Sequence, residues 1–211
     1  MKKKTDSRRE DRRTIYTKNV IKDAMLELLE TQPFEKITVS ALCRQADIVR
    51  TTFYLHYDGL TEVLNELADD AILAASSHSG DALNGINTLA EQMRRTVDPE
   101  LLAPYMDLLP VCQQVADDPK YRSMFQDPVV SEYILKQIYR QEKDVSVEHF
   151  RQRFGITSRQ AEKLFLFAIT GAFEVNRSMG WKKDQDWYEV QKVLLNFISG
   201  GYKALEELHK N

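Results

Sequence analysis

The sequence predicts an all-α fold, and three observations lead to this class. Apolar residues recur at intervals of three and four through several long segments, which is the spacing of an amphipathic helix. The 211 residues include only eight glycines and six prolines, too few for the turns of a β-sandwich or a β-barrel. Hydrophobic residues make up 43% of the chain, enough to pack one large core or two small ones.

The first predicted helix runs from about Arg12 to Thr31 and ends before Pro33, because a residue that precedes proline disfavours the helical conformation. A stripe of apolar residues predicts that one face of this helix packs on the helices that follow. The stripe consists of Ile21, Ala24, Met25, Leu28 and Leu29.

Residues 37–57 predict two short helices joined by a tight turn, the arrangement of a helix-turn-helix. The first helix begins at Thr38, whose hydroxyl can cap a free backbone N–H group. Asp47 occupies the turn, where aspartate tolerates a left-handed backbone better than most residues. The buried side of the first helix is expected to comprise Val39, Leu42, Cys43 and Ala46.

The second short helix is predicted from about Arg50 to His56, with Phe53 turned towards the interior. Its remaining polar and aromatic side chains point outward. Such a face can enter the major groove of DNA and contact both bases and phosphates, so DNA is the expected partner. The outward side chains are those of Arg50, Thr51, Thr52, Tyr54 and His56.

An apolar repeat from Leu60 to Ala75 predicts a fourth helix, about 25 Å long at 1.5 Å per residue. The small polar residues 76–80 close this helix, and we place a domain boundary there. The predicted organisation is a flexible basic arm (1–11), a DNA-binding head (12–75), and a regulatory and dimerisation body (76–211).

The body shows a looser helical pattern. One candidate helix covers residues 81–97, after which prolines break the chain into short pieces. An amphipathic helix over 129–141 and a short helix over 147–154 follow, the second stopped by Gly155. The final helix is predicted over residues 187–208.

Residues 164–173 are apolar on every side of a helix, so one core contact cannot cover them. This helix and the final one would form a four-helix bundle between two copies of the chain, with a close approach at Gly171. A helix buried deep within a monomeric body is the alternative. The expected dimer interface comprises Leu166, Ile169, Gly171, Phe173, Val190, Leu194, Phe197 and Ile198.

Charge is distributed unevenly along the chain, whose net charge is only −3. Residues 1–60 hold 12 Lys and Arg against 9 Asp and Glu, whereas the remaining residues hold 17 against 23. This asymmetry predicts a DNA-facing front and an acidic body. Basic residues near the N-terminus, Arg12 and Arg13 among them, can lie along phosphates or enter a minor groove. For Lys2–Lys4, a solvated and disordered terminus is the alternative.

Together these patterns resemble the N-terminal module of the tetracycline-repressor (TetR) family of bacterial transcription regulators. The resemblance covers about residues 12–68 and implies an all-helical homodimer with a small DNA-binding head and a larger, ligand-sensing body. Most such proteins are repressors that a small molecule releases from a near-palindromic operator. The segments that carry the resemblance are the stripe of the first helix, residues 34–39, 42–43, 46–48 and 50–57, and Leu64.

The resemblance also implies roles for individual residues. Thr38 would contact a phosphate at a helix N-terminus. The start of the second short helix, Arg50, Thr51 and Thr52, would face base edges. Tyr54 and His56 would reach phosphates or bases, with half-burial or helix capping as the respective alternatives.

Two positions depart from the family pattern. Asp47 replaces a glycine that is frequent in the turn. Leu60 replaces a lysine that commonly binds phosphate at the start of the fourth helix, and the loss of this contact lowers the salt dependence of DNA binding by about one unit. A co-regulator that acts through a protein partner, without binding an operator itself, is therefore the alternative to a DNA-binding regulator.

A pocket for an unknown small-molecule effector is expected among aromatic and apolar residues of the body, which suit a hydrophobic or flat ligand. Ordinary core packing is the alternative for each residue. Few charged residues fall within the apolar stripes, so a strongly charged effector has no obvious counter-ion. The candidate lining residues are Tyr105, Met106, Phe125, Tyr133, Tyr139, Phe167, Phe173 and Trp181.

An enzyme is not expected, because the chain has none of the common metalloprotease, phosphate-loop, redox or nucleophile-elbow motifs. No metal or cofactor is expected either, since the four histidines lie far apart. Cys43 and Cys112 are expected as buried free thiols, with a redox switch as the alternative. We expect a cytoplasmic protein without a membrane partner, because the sequence lacks a long apolar run and a signal-peptide core.

Overall fold

The computed structural model describes residues 3–76 and 82–210, and within these ranges it contains helices and connecting turns but no strand. The predicted all-α class is confirmed. The helices are α1 (Lys3–Thr31), α2 (Val39–Gln45), α3 (Arg50–Tyr54), α4 (Leu60–Ser76), α5 (Ala82–Arg95), α6 (Pro99–Leu102), α7 (Val111–Asp117), α8 (Arg122–Gln126), α9 (Pro128–Phe154), α10 (Ser158–Ser178) and α11 (Gln185–Lys210). Short 3-10 helices cover Phe34–Lys36 and Ala103–Leu108.

Helix α1 begins at Lys3, nine residues before its predicted start near Arg12. No glycine or proline interrupts this segment, so nothing in its backbone ends the helix earlier. The helical backbone thus includes residues 3–11, which were assigned to the flexible arm. The side chains of 3–11 lie outside the described part of the chain, as do residues 1–2 and most of the predicted domain boundary at 76–80.

The helix-turn-helix has the predicted local geometry. The Thr38 hydroxyl accepts a hydrogen bond from the Ala41 N–H at 3.1 Å and caps α2. Asp47 adopts the left-handed conformation, with φ of 50°. Helix α3 ends at Tyr54, two residues before its predicted end, because the chain tightens into a turn that bonds the His56 N–H to the Phe53 carbonyl.

One hydrophobic core extends from the head into the body. Met25 of α1 and Leu67 of α4 belong to the same buried cluster as Val115 of α7, Met124 of α8 and Ile134 of α9. Helix α4 packs on α1, α7 and α9, and α1 also packs on α8. The head is therefore attached to the body by continuous packing rather than by α4 alone.

Helix α9 is a single helix where the sequence predicted two pieces, 129–141 and 147–154. Residues 142–146 contain no glycine or proline and continue the helix without a break. The helix ends at Gly155 as predicted, because φ of 62° there suits glycine. Helix α10 follows after a capping box made by Thr157 and Gln160.

No helix within the described residues combines the length and the hydropathy that a membrane span requires. Both cysteines are free and buried, as expected. Burial raises the pKa of both thiols, and that of Cys112 rises to about 12. Their reactivity at neutral pH is therefore low.

Candidate functional site

The surface predicted to contact DNA centres on α3. Arg50 and Tyr54 lie one helical turn apart, and both are exposed. The Arg50 guanidinium donates a hydrogen bond of 3.4 Å to the Tyr54 hydroxyl and lies 5.9 Å from the centre of its ring. Thr51 is exposed beside them, whereas Thr52 and His56 are half-buried. The exposed group presents one cation and several hydrogen-bonding groups on one short helix.

Phe53 holds α3 in place from the opposite side. Its side chain is completely buried, and its ring contacts the ring of Tyr54 edge-on at 5.3 Å and that of Tyr57 at 5.9 Å. The ammonium of Lys18, in α1, lies 5.0 Å from the centre of the Tyr57 ring. A five-residue helix has little intrinsic stability, so this packing is what orients Arg50 and Tyr54.

Three other predicted contact residues, Thr38, Arg12 and Arg13, are exposed. Leu60 is half-buried and packs against the core of the head, which accounts for an apolar side chain at the start of α4. The neighbouring Glu62 carboxylate accepts a hydrogen bond of 2.6 Å from the backbone N–H of Asp58. The start of α4 therefore carries an acidic side chain and no cation in place of the phosphate-binding lysine.

A cavity of about 890 Å³ lies in the body, with walls from α5, α7, α9, α10 and α11. Its volume falls within the range of small-molecule sites. Aliphatic side chains make up most of the apolar part of the wall, and five aromatic residues lie among them. These are Phe150, Phe165, Phe167, Phe197 and Tyr202.

Exposed residues mark the opening of the cavity. Phe167 of α10 and Phe197 of α11 are 63% and 68% exposed, although both line the cavity. Val145 of α9 and Gly171 of α10 are exposed wall residues as well. The cavity is therefore open to solvent beside the helices that the sequence assigned to dimerisation.

The polar part of the cavity wall contains two acids among several amide and hydroxyl side chains. Gln113 of α7 is buried, and its side-chain oxygen has no hydrogen-bond partner among the described residues. Glu142 of α9 is half-buried, and burial raises the pKa of its carboxyl group. His149 and Asp107 also lie on the wall, and no lysine or arginine lies among the described wall residues.

Glu142 and His149 were not among the residues that the sequence predicted for the pocket. They lie on one face of α9 with Ile138 and Val145, at spacings of three and four residues. This stripe is visible only when residues 128–154 are taken as one helix, and dividing the segment at residue 141 concealed it.

Of the eight predicted pocket residues, Phe167 lies on the wall of the large cavity, and the others lie elsewhere. Phe125, Phe173 and Trp181 pack together within the core, with ring centres 4.8 to 6.3 Å apart. Large aromatic rings gain from burial, which explains why Phe125 and Phe173 are buried in the core and Trp181 packs half-buried against them.

The remaining four residues of that set have separate surroundings. Tyr139 stacks on Phe165 at 5.6 Å. Tyr133 lines a smaller cavity of about 250 Å³ between the head and the body. Tyr105 and Met106 pack on the buried cluster that joins α5 to α11.

The residues predicted for the dimer interface divide into three groups. Leu166, Gly171 and Phe197 are exposed, whereas Val190 is half-buried. Phe173 is buried against Phe125 and Trp181, so the single chain already covers it. The others, Ile169, Leu194 and Ile198, are half-buried in the cavity wall.

A buried hydrogen bond joins α10 to α11. The Trp187 indole N–H donates to the Asn176 side-chain oxygen at 2.7 Å, and Asn176 donates to the Ala172 carbonyl at 2.8 Å. At the other end of the two helices, Phe165 of α10 and Tyr202 of α11 both contact Phe150 of α9. The helices are thus held at both ends, and the cavity lies between these points.

Comparison with known proteins finds no matching family model and no matching curated protein. Two solved structures are similar to this chain. One is the dihydroxyacetone kinase operon activator DhaS, at 17% identity and a TM-score of 0.40, with 86% of this chain and 94% of that chain covered. The other is AlkX from Dietzia sp. strain DQ12-45-1b, implicated in the biodegradation of n-alkanes, at 16% identity and a TM-score of 0.40, with 89% and 95% covered. AlkX is a TetR family repressor.

Proposed function

We propose that this protein is a dimeric, sequence-specific DNA-binding regulator of the TetR type, which a small-molecule effector controls. The observation that carries the proposal is the exposed Arg50 and Tyr54 pair on α3, oriented by the buried Phe53. Arginine contacts guanine edges and phosphates, and tyrosine contacts phosphates, when a short helix lies in a major groove. A cytoplasmic repressor is the form of this function that the sequence resemblance favours.

Dimerisation through α10 and α11 is supported by apolar side chains that the single chain leaves exposed. Leu166 and Phe167 are 40% and 63% exposed on α10, and Val193 and Phe197 are each 68% exposed on α11. A second copy packed on this face would bury them and place two heads on a near-palindromic operator. It would also cover the opening of the cavity, which Phe167 and Phe197 border.

Helix α9 offers a connection between the cavity and the head. Its C-terminal half lines the cavity with Glu142 and His149. At its N-terminus, Asp127 bonds the backbone of Phe34, four residues before Thr38. A ligand that prefers one position of α9 would shift the orientation of the heads by its difference in affinity for the two states.

A gel-shift experiment tests this function directly. The purified protein is titrated onto duplex DNA from upstream of its own gene and onto an unrelated duplex of the same length. We expect a retained complex with the upstream DNA that weakens steeply as salt is raised.

The second candidate is a co-regulator that works through a protein partner. It is favoured by the start of α4, where Leu60 and Glu62 leave the phosphate-binding position without a cation. This candidate predicts no salt-sensitive shift on either duplex.

A further inference from the structure

The large cavity contains a buried hydrogen-bond acceptor without a donor. Gln113 is only 3% exposed and lines the cavity, and its side-chain oxygen has no partner among the described residues. A buried acceptor without a donor costs free energy, because it loses its bond to water and gains none in return. The oxygen itself is almost inaccessible to solvent, so a ligand donor removes this cost only when the Gln113 amide turns towards the cavity.

The same cavity contains a carboxylate without a counter-ion. Glu142 is half-buried, and within the described residues it forms neither an ion pair nor a hydrogen bond. No lysine or arginine of the described wall neutralises it, and Asp107 adds a second acid. A half-buried acid in a largely apolar wall favours a positively charged occupant and opposes an anionic one.

We propose that the effector of this protein is a lipophilic organic cation, such as a protonated amine on an aromatic or aliphatic framework. The ammonium group donates to Gln113 and pairs with Glu142, while the framework packs on the aromatic side chains of the wall, with Phe167 and Phe197 at the opening. The role of this ligand as an effector rests on the proposed regulatory function. The preference of the cavity for a cation does not.

Three probes with one framework and different charges test the selectivity. Isothermal titration calorimetry on the full chain compares 4-phenylbutylamine, 4-phenylbutanol and 4-phenylbutyrate at pH 7. We expect the amine to bind at least tenfold more tightly than the alcohol, and the butyrate to bind most weakly. Equal affinities, tighter binding of the butyrate, or no binding of the amine at millimolar concentration would overturn the proposal.

Two variants assign the selectivity to residues. Glu142→Gln should remove most of the preference for the amine over the alcohol, and Gln113→Leu should weaken amine binding. Glu148→Gln is the matched control, because Glu148 lies on the same helix, is exposed and pairs with Arg151 outside the cavity. Retained preference in a folded Glu142→Gln protein, checked by circular dichroism, would contradict the assignment.

Calorimetry tests the cation site and the gel shift tests the DNA-binding function, so either proposal can fail alone. Amine-selective binding by a protein that retains no DNA overturns the regulator and leaves the cation site intact. DNA retention by a protein without charge selectivity overturns only the cation site.

Discussion

The Asp127 carboxylate accepts a hydrogen bond from the backbone N–H of Phe34 at 2.7 Å, across 93 residues of sequence. Its other oxygen accepts from the N–H groups of Val129 and Val130 and caps α9. One buried side chain therefore fixes both the start of a cavity-lining helix and the turn that leads into the helix-turn-helix.

Substitutions of Asp127 test how much these hydrogen bonds stabilise the protein. Asp127→Ala removes the helix cap and leaves the Phe34 N–H without its partner, so we expect a loss of about 2–3 kcal/mol in the free energy of unfolding, measured in urea. Asp127→Asn keeps a capping oxygen and should cost less. Asp118→Ala is the control, because among the described residues the Asp118 side chain accepts a hydrogen bond only from the Lys120 N–H, in an exposed turn. Equal effects for Asp127→Ala and Asp118→Ala would contradict the role of Asp127.

Ion pairs between α1 and α4 give a second prediction. The Lys22 ammonium is largely buried, 2.5 Å from Asp70 and 3.6 Å from Glu66, whereas Lys18 pairs with Glu66 at 2.9 Å in a more exposed position. Lys22→Met should cost about 1–2 kcal/mol, because it removes the ion pair of Asp70 and leaves Glu66 with Lys18 alone. Lys18→Met should cost less than about 1 kcal/mol. A larger loss of thermal stability in Lys18→Met than in Lys22→Met would show that burial does not determine the contribution of these ion pairs.

Substitutions at Gly171 test whether the exposed face of α10 is a dimer interface. A β-carbon added at this position meets nothing within 4 Å in the single chain, and the residue is exposed. Gly171→Ala should therefore stabilise the subunit by about 0.5–1 kcal/mol through helix propensity. Gly171→Trp should leave the subunit folded but break the dimer, measured by light scattering during gel filtration. A dimer that persists in Gly171→Trp would place the interface elsewhere.

Glu142 gives a prediction for pH. Burial raises the pKa of its carboxyl group in the folded state, so the folded state loses stability as pH rises from the unfolded pKa, about 4.3, towards that raised value. Glu142→Gln removes this loss. The variant should be more stable than the wild type at pH 7, by less than about 1 kcal/mol because the group is only half-buried.

The stability difference should shrink as pH falls and vanish at about pH 3, where the wild-type carboxyl is protonated in both states. Glu148 provides the contrast, because its hydrogen bond with Arg151 lowers the pKa of its carboxyl. Glu148→Gln should give no gain at pH 7. A Glu142→Gln variant that is less stable than the wild type at pH 7 would mean that the carboxylate has a favourable partner.

Features that depend on nearby residues can be predicted from this sequence. The Thr38 cap, the left-handed Asp47 and the end of α9 at Gly155 each follow from the chemistry of one residue and its neighbours. The outward position of Arg50 and Tyr54 follows from the helical period around Phe53.

Features that depend on distant residues could not be predicted in the same way. Phe125, Phe173 and Trp181 have the composition of a ligand pocket, and only their mutual contacts show that they are core. Glu142 looks like an ordinary surface acid in the sequence, and it becomes unusual only because it lies on the wall of a cavity that α5, α7, α10 and α11 also line. The bond between Asp127 and Phe34 has no sequence signal at all.

The most direct test of the DNA-binding function measures affinity for the upstream duplex against salt concentration, using the wild type, Arg50→Ala and Arg95→Ala. Arg95 is exposed in the body and pairs with Glu91. Arg95→Ala therefore removes one positive charge, as Arg50→Ala does, but outside the predicted DNA-binding surface. We predict that Arg50→Ala weakens binding about tenfold or more while Arg95→Ala has little effect. Unchanged affinity in a folded Arg50→Ala protein, or equal losses in the two variants, would contradict a DNA-binding surface centred on α3.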